Sequence, residues 1–258
     1  MLQDARRANV FAIANQKGGV GKTTTAVNLA ASVAVAERNT LLVDCDPQSN
    51  ASSGVGVAPR TVDRSLYDAL IGRASLDDVL CATPIDKLKV APATQDLVAA
   101  ELELVDEEDR ATRLRRVLQE ASGPFDYVFI DCPPSLGLLT VNALVAADAV
   151  IVPMQCEYYA LEGLTYLMAT IERVRSSLNP KLRVEGILLT MYDPRNNLAR
   201  QVAAEVKAHF RVFDSVIPRN VRLSEAPSHG KPALLYDAQA KGAQGYLSLA
   251  HELLGDGA

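Results

Sequence analysis

The residues from Lys17 to Thr24 combine glycines, two lysines and hydroxyl side chains in the order typical of a phosphate-binding loop. The glycines allow a tight turn in which successive backbone N–H groups point towards anionic oxygens. Lys22 carries its charge on a side chain long enough to reach the β- and γ-phosphates of a nucleotide. The Thr23 hydroxyl is a hard oxygen ligand of the kind that Mg²⁺ takes. The predicted phosphate site consists of Lys17, Gly18, Gly19, Val20, Gly21, Lys22, Thr23 and Thr24.

This loop departs from the generic P-loop at its first position. The pattern G-x-x-x-x-G-K-[ST] has glycine where this chain has Gln16, and a second lysine, Lys17, precedes Lys22 by five residues. The alternative interpretation of this motif is an ordinary glycine-rich turn with a solvated lysine. The run G-K-T-T-T directly after an apolar strand and before a helical segment favours the phosphate site.

Three aspartates follow two other apolar segments. Asp131 ends the run Y-V-F-I-D, and Asp44 and Asp46 end the run L-L-V-D-C-D. A single aspartate after a strand is commonly a turn or helix-cap residue. In a parallel α/β sheet, however, ligands gather at the carboxyl ends of the strands. We therefore expect these carboxylates to lie beside the phosphate loop, where Mg²⁺ would bind.

Short apolar segments alternate with longer segments of helical pattern along the chain. The short segments are almost continuously apolar, as expected for strands buried on both faces. The alternation predicts a single-domain α/β fold of the P-loop NTPase type, with a mostly parallel twisted sheet and helices on both faces. We expect a short N-terminal tail at residues 1–9 and one ATPase domain at residues 10–258.

The boundaries of these elements follow from the apolar pattern and the turn residues. The predicted strands are Val10–Asn15, Thr40–Cys45, Leu88–Ala91, Tyr127–Asp131, Ala149–Pro153, Val184–Met191 and Val212–Ile217. The predicted helices are Lys22–Glu37, Asp96–Leu104, Arg110–Ser122, Leu138–Ala146, Leu161–Leu178, Leu198–Phe210 and Lys241–Leu254. The Gly/Ser-rich segment Ser49–Pro59 is predicted to be a long loop, and Asp106–Asp109 to begin a helix.

The composition limits the classes of function. The 258-residue chain has a net charge of −5, so any contact with DNA needs a local basic patch rather than a basic surface. Its four cysteines include no C-x-x-C pair, which disfavours disulfides and a structural zinc site. No apolar run approaches the ~20 residues that span a bilayer, and the N-terminus lacks a signal-peptide core. We expect a cytoplasmic protein.

Several longer motifs resemble those of a known family. N-Q-K-G-G-V-G-K-T-T-T (Asn15–Thr25), V-D-C-D-P-Q (Val43–Gln48) and D-C-P-P (Asp131–Pro134) resemble the deviant Walker A ATPases. P-M-Q-C-E-Y-Y-A-L-E-G-L (Pro153–Leu164) and I-P-R-N-V-R-L-S-E-A-P-S-H-G-K-P (Ile217–Pro232) resemble the ParA/Soj proteins of chromosome and plasmid partition. The resemblance covers nearly the whole chain.

The resemblance implies a cycle of ATP binding, dimerisation and slow hydrolysis. Two subunits would meet face to face with the nucleotides between them. Lys17 matches the lysine that reaches across to the partner's phosphates, and Asp46 matches the residue that orients the attacking water. With Lys22, these two residues form the expected catalytic set.

The same resemblance implies the ligands of the cofactors, ATP and Mg²⁺. Asp131 matches the Walker B carboxylate, and Asp44 matches a nearby aspartate that acts through the water shell of the metal. Together with Thr23 they form the expected metal site. Pro218 and Asn220 would bind the base of the nucleotide.

The resemblance also implies macromolecular partners. The ATP-bound homodimer would bind double-stranded DNA without sequence preference, through Arg195 in Y-D-P-R-N-N-L and Arg222 in R-N-V-R-L-S. A ParB-like centromere-binding protein would stimulate hydrolysis, and the protein would associate with the nucleoid. Some relatives carry an N-terminal helix-turn-helix, which we do not expect here because about nine residues precede the first strand.

Two alternatives use the same nucleotide chemistry. A MinD-like or cargo-positioning ATPase would act on a membrane or a protein cluster. The segment L-S-L-A-H-E-L-L-G-D-G-A lacks basic residues on its polar face, so we expect no membrane contact. An iron–sulfur member would need thiolates on a shared surface or a cysteine pair, and Cys132 has no such companion in the sequence.

Overall fold

The computed structural model describes residues 8–121 and 123–255. Its strands are β1 (Asn9–Ile13), β2 (Thr40–Asp44), β3 (Cys81–Ala82), β4 (Leu88–Ala91), β5 (Tyr127–Asp131), β6 (Ala149–Gln155), β7 (Arg183–Tyr192) and β8 (Ile217–Pro218). They form one sheet in the order β3-β4-β2-β5-β1-β6-β7-β8. All neighbouring pairs among these strands are parallel except β3 with β4. The phosphate loop therefore follows a central strand, with β5 and β6 on either side.

The helices connect successive strands and cover the sheet. They are α1 (Lys22–Val35), α2 (Asn50–Gly54), α3 (Leu66–Leu70), α4 (Leu76–Val79), α5 (Leu97–Glu103), α6 (Arg113–Gln119), α7 (Leu138–Ala146), α8 (Ala160–Ser177), α9 (Asn197–His209), α10 (Val221–Glu225), α11 (Ala233–Tyr236) and α12 (Lys241–Gly255). Short 3₁₀ turns lie at Pro59–Thr61, Arg110–Thr112 and Ala226–His229. Within the described ranges, no helix combines the length and the apolarity needed to cross a membrane.

The hydrophobic core has a layer on each side of the sheet. Phe11 and Ile13 of β1 pack with α1 and α12, whereas Val10 and Ala12 pack into the layer that contains α5, α7, α8 and α9. Alternate residues of a strand point to opposite faces, so both sets are apolar because both faces are covered. The predicted α/β fold with a mostly parallel sheet is confirmed.

The segment Ser49–Pro59 is not the long loop that its composition predicts, because it contains α2. Ser52 in this helix donates both its backbone N–H and its hydroxyl to the Asp44 carboxylate, at 2.8 and 2.7 Å. Close packing also holds α2 in place, since a Cβ placed on Gly54 would lie 3.1 Å from the Val27 side chain. Tertiary contacts thus override a composition that favours a loop.

The predicted strand Val212–Ile217 is also wrong for most of its length. Val212 makes a single bridge to Ile187, and regular pairing is confined to β8. The N–H groups of Asp214 and Ser215 donate to the Glu252 carboxylate of α12 at 2.8 and 2.9 Å. These contacts take the two residues out of the sheet ladder.

The remaining differences concern short elements and helix ends. The helix predicted at Arg110–Ser122 begins at Arg113 after a 3₁₀ turn, and Ser122 lies outside the described residues. Asp106–Asp109 forms turns rather than a helix start. The edge strand β3 and the four- or five-residue helices are too short to carry a recognisable period. Residues 1–7 of the predicted tail lie outside the described part, so the domain boundary stays a prediction.

Candidate nucleotide site

The phosphate loop joins β1 to α1 in a conformation that requires glycine at two positions. Gly19 has φ 74° and Gly21 has φ 88°, both in the left-handed region. Among the residues that the structure describes, no side chain caps the N-terminus of helix α1, and its first turn contains no acidic residue. The first N–H groups of a helix lack intrahelical partners and carry partial positive charge. This end of α1 is therefore suited to an anion such as a phosphate.

The two lysines of the loop have different surroundings. Lys22 is buried, and its ammonium donates a hydrogen bond to the Lys17 carbonyl oxygen at 3.1 Å. Burial lowers the pKa of Lys22, and the nearby Asp131 charge opposes that shift. The Lys17 side chain is partly exposed and forms an ion pair with Glu157, which follows β6. Lys22 thus points into the site, whereas Lys17 is held at its margin.

Asp44 and Asp131 lie side by side at the carboxyl ends of β2 and β5, where the strand register pairs them directly. Both are fully buried, and burial raises the pKa of each carboxyl group. Asp44 accepts two hydrogen bonds from Ser52 and one from the Asp46 N–H at 3.2 Å. Its position is therefore set by the protein itself.

Asp131 differs from Asp44 in its lack of partners. Neither of its carboxylate oxygens has a hydrogen-bond donor of ordinary length and angle within the described chain. The Thr23 hydroxyl lies close enough to favour the charged form of Asp131 and so to offset part of the rise in its pKa. A buried carboxylate without a donor is costly unless a ligand or ion completes it. This orphaned group fits the position expected for a metal-binding carboxylate.

Asp46 lies at the edge of the same group, two residues after β2. It is nearly buried and accepts the Gln48 N–H at 3.0 Å, which forms a local turn. Its charge acts on Lys22, so the two side chains share one electrostatic environment. The structure thus gathers Lys22, Thr23, Asp44, Asp46 and Asp131 at adjacent strand ends.

Within residues 8–121 and 123–255, no group of three or more His, Cys, Asp or Glu side chains could hold a metal ion unaided. Mg²⁺ characteristically takes one or two carboxylates and completes its shell with water and substrate phosphates. Thr23 and Asp131 offer one hydroxyl and one carboxylate, with Asp44 next to Asp131. This donor set fits the coordination preference of Mg²⁺. A metal bound here would therefore need the phosphates of a nucleotide.

The two candidate DNA-binding arginines follow the neighbouring strands β7 and β8 at one edge of the sheet. The Arg195 side chain is 90% exposed and pairs with Asp193 through two hydrogen bonds of 3.0 and 2.9 Å. Hydrogen bonds from Arg195 lower the pKa of Asp193 to about 2. We call Arg195 and Arg222, with their carboxylate partners, the arginine edge.

Arg222 lies in α10 and is 50% exposed. It pairs with Glu225 at 2.8 Å and with Asp237 at 3.3 Å. Both arginines of this edge thus contact carboxylates of their own chain, and a phosphate would have to compete with them.

The predicted base-binding residues lie three strands away from β1 in the sheet. Pro218 ends β8, and the Asn220 side chain caps α10 by accepting the Arg222 N–H at 3.0 Å. Among the described residues, no hydrogen bond or ion pair connects Pro218 or Asn220 to the phosphate loop. Their role as base ligands stays a prediction.

Three residues at this site were not predicted from the sequence. Ser52 holds Asp44, Glu157 pairs with Lys17, and Thr190 donates its hydroxyl to the Val20 carbonyl at 2.8 Å. Thr190 is a polar residue at the carboxyl end of an apolar strand, which is the signal that identified the aspartates. Ser52 lies in a segment whose composition predicts a loop, and no sequence signal identifies it.

Comparison with known proteins places this arrangement in a family. A family model described as "AAA domain" matches residues 8–184. The chain is 56% identical to the chromosome partitioning protein ParA of Myxococcus xanthus, over 95% of this chain and 87% of the relative. It is 54% identical to the sporulation initiation inhibitor protein Soj of Bacillus subtilis, over 96% of this chain and 99% of the relative.

A solved structure shows the same fold. Cobyrinic acid a,c-diamide synthase from Mycobacterium smegmatis, crystallised with ADP and magnesium, is 37% identical with a TM-score of 0.84. The match covers 96% of this chain and 94% of that one. Given the near full-length identity above 50% and the loop with its three strand-end aspartates, the chain belongs to the ParA/Soj family of partition ATPases.

Proposed function

We propose that this protein is a dimerising ATPase that binds DNA in its ATP state and partitions chromosomes or plasmids together with a ParB-like partner. The observation that carries the proposal is the convergence of the phosphate loop with Asp44, Asp46 and Asp131 at the ends of β1, β2 and β5. Relatives of high identity that are named as chromosome partitioning proteins support the biological role.

ATP would bind with its phosphates at the N-terminus of α1. The residues that would hold them are Lys17, Gly18, Gly19, Val20, Gly21, Lys22, Thr23 and Thr24. Mg²⁺, bound together with the nucleotide, would neutralise negative charge on the phosphate oxygens. The Thr23 hydroxyl and the orphaned Asp131 carboxylate are positioned to hold that ion. Asp44 is already bonded to Ser52, so its contribution would pass through a water molecule.

Asp46 would orient the water that attacks the terminal phosphate. It is the one carboxylate of the three with some exposure, and one of its oxygens accepts the local N–H of Gln48. A carboxylate that positions a water in this way contributes to general-base catalysis. Lys22 would stabilise the charge that develops on the phosphate oxygens.

Dimerisation would complete the site from the second subunit. Lys17 is partly exposed at the margin of the loop, where a partner could meet it, and its present partner Glu157 is also partly exposed. Solvent-exposed ion pairs are weak, so phosphates of the opposite subunit could replace Glu157. The charge of Lys17 would then reach the reacting phosphate only in the dimer.

DNA binding would use the arginine edge in duplicate. Arg195 is exposed in the loop after β7 and Arg222 is exposed in α10, and a dimer would present two copies of each. Contacts of this kind recognise phosphates without reading sequence. Such a local patch reconciles DNA binding with a net charge of −5.

An ATPase assay in four conditions tests the proposed function: protein alone, with plasmid DNA, with a purified ParB-like protein, and with both. We expect slow hydrolysis alone and a marked rise when both are present. Fast hydrolysis that is indifferent to DNA and partner would refute the proposal. Omission of Mg²⁺ should abolish the activity in all four conditions.

The membrane alternative is distinguished by a sedimentation assay. The apolar face of α12, including Tyr246 and Leu249, is buried against α1, and the last turn of the helix carries no basic residue. This use of α12 favours DNA over a lipid surface. We expect the ATP-bound protein to sediment with plasmid DNA and not with anionic liposomes.

The iron–sulfur alternative is disfavoured by the position of Cys132. This thiol is fully buried, and burial raises its pKa, so it is not a surface thiolate that could share a cluster with a second subunit. Iron analysis of the purified protein should give no bound iron.

A further inference from the structure

Thr190 contacts the phosphate loop from a strand that carries none of the predicted nucleotide ligands. Its side chain is 2% exposed at the end of β7, and its hydroxyl donates to the Val20 carbonyl at 2.8 Å. Within the described chain, this is the one side-chain hydrogen bond to the backbone of residues 18–21. The loop is therefore fixed at its middle by β7.

The direction of this hydrogen bond determines where the next N–H group points. The Val20 carbonyl and the Gly21 N–H belong to one planar trans peptide, in which the C=O and N–H bonds point in opposite directions. Because Thr190 draws the carbonyl towards β7, the Gly21 N–H is directed away from β7. In such a loop the phosphate donors are successive backbone N–H groups, of which the Gly21 N–H is one.

The flanking residues make this fixation necessary. Gly21 has positive φ and no side chain, so on its side little steric hindrance opposes rotation of the Val20–Gly21 peptide. A Cβ placed at Gly21 would lie 3.8 Å from the Thr190 methyl group, which therefore borders the same peptide. Without the hydroxyl, the peptide would lose the contact that selects one orientation.

Thr190 is itself held firmly. Its backbone pairs with Gln155 of β6 on one side and with Ile217 of β8 on the other. The ladder to β8 is irregular directly after it, and Met191 has φ 49°, which is unusual for a residue with a side chain. Strained conformations of this kind persist where the surrounding structure fixes them, often at functional sites.

We propose that Thr190 is a positioning residue of the nucleotide site, whose hydroxyl orients the Val20–Gly21 peptide so that the Gly21 N–H can bind phosphate. The inference rests on the proposed function, since it assumes that the loop binds ATP. It assigns Thr190 no direct contact with the nucleotide.

The test compares Thr190→Val, which keeps the shape but loses the hydroxyl, with Thr190→Ser, which keeps the hydroxyl. Thr40→Val is the matched control, because Thr40 is also buried and donates to a backbone carbonyl, that of Arg38, at 2.9 Å. Thr40 begins β2 at the opposite end of the sheet from the loop. Binding is measured by titration with a fluorescent ATP analogue, and stability by thermal unfolding without nucleotide.

We expect Thr190→Val to weaken nucleotide binding about tenfold, Thr190→Ser to stay within about twofold of the wild type, and Thr40→Val to bind normally. The ³¹P signal of bound ADP should shift in Thr190→Val and not in Thr40→Val. A purely structural role would lower the unfolding temperature of both valine variants alike without changing binding.

Wild-type affinity in Thr190→Val, or equal weakening in both valine variants, would overturn the inference while leaving the proposed function intact. Failure of the wild-type protein to bind ATP would overturn both. If Thr190→Val does not fold, Thr190→Ala replaces it. The difference in nucleotide affinity between the alanine and serine variants then measures the contribution of the hydroxyl. Equal affinity of the two variants would overturn the inference.

Discussion

The nucleotide site and the arginine edge differ in how their charged side chains are buried and paired. At the nucleotide site, Asp44, Asp131 and Lys22 are buried, and burial shifts the pKa of each towards its neutral form. At the arginine edge, Arg195 and Arg222 are exposed and already paired with carboxylates of the same chain. Among the described residues, the buried Asp131 carboxylate lacks a hydrogen-bond donor, and a bound ion can complete it. The exposed arginines instead have carboxylate partners that a ligand must displace.

This difference predicts how each region responds to its ligand. Interactions among buried charges are strong and weakly screened, so single substitutions at the nucleotide site should have large effects. Exposed ion pairs contribute little and are screened by salt, so the arginine edge should act through the sum of several contacts. Substitutions in both regions can test this contrast.

The largest effect is expected for Lys22→Ala. This buried ammonium would be the main positive side chain facing the phosphates, and its loss should weaken ATP binding about 10³-fold. ATP-dependent dimerisation should disappear with it. Calorimetric titration measures the affinity, and Lys89→Ala, at an exposed position of β4, is the control. Near-normal binding by Lys22→Ala would show that the site does not depend on its buried charge.

The next effect is expected for Asp46→Ala. The contacts that bind ATP survive this change, but the attacking water loses its orienting carboxylate, so hydrolysis should fall about 10²-fold. The protein should accumulate as an ATP-bound dimer, which gel filtration with ATP detects. Asp46→Asn keeps an acceptor for the Gln48 N–H and should behave in the same way. A monomeric Asp46→Ala protein would contradict the role assigned to Asp46.

A smaller effect is expected for Arg222→Glu at the arginine edge. DNA affinity should fall at least about tenfold at low salt, and the salt dependence of binding should become shallower. ATP-dependent dimerisation should remain. Arg175→Glu is a matched control, since Arg175 is 49% exposed and pairs with Glu172 at the same i,i+3 spacing. Loss of dimerisation in Arg222→Glu would instead assign this residue to the subunit interface.

The smallest effect concerns stability without nucleotide. A raised carboxyl pKa in the folded state means that the folded protein binds more protons than the unfolded chain between the two pKa values. The contribution of Asp44 to stability therefore falls as pH rises from about 4, the ordinary aspartate value, through about 6. The contribution of Asp131 falls in the same direction, because its pKa is also raised by burial. In Asp131→Asn, one of these titrating groups is absent.

Denaturant unfolding of wild type and Asp131→Asn from pH 4.5 to 7.5 measures this contribution. The free energy of unfolding of the variant should rise relative to that of the wild type across that range. A constant difference across the range would mean that Asp131 titrates normally in the folded protein. Arg222→Glu, at the exposed edge, should show no comparable trend.

Much of the nucleotide site was predictable because its signals are local. The phosphate loop occupies consecutive residues, and Asp44, Asp46 and Asp131 each follow an apolar strand whose pattern is visible in the sequence. The α/β fold followed from the alternation of such strands with helical segments. The short elements β3 and α2 were missed because contacts with neighbouring elements, rather than a period of their own, stabilise them.

The sequence by itself determined which residues carry the chemistry of this protein, since glycine, lysine and aspartate at strand ends are specified by local pattern. Only the tertiary structure decided how those residues are held. It placed Glu157 against Lys17, Ser52 against Asp44 and Thr190 against Val20 across separations of 140, 8 and 170 residues. These contacts depend on how the elements of the fold pack together, so the local pattern of the sequence does not reveal them.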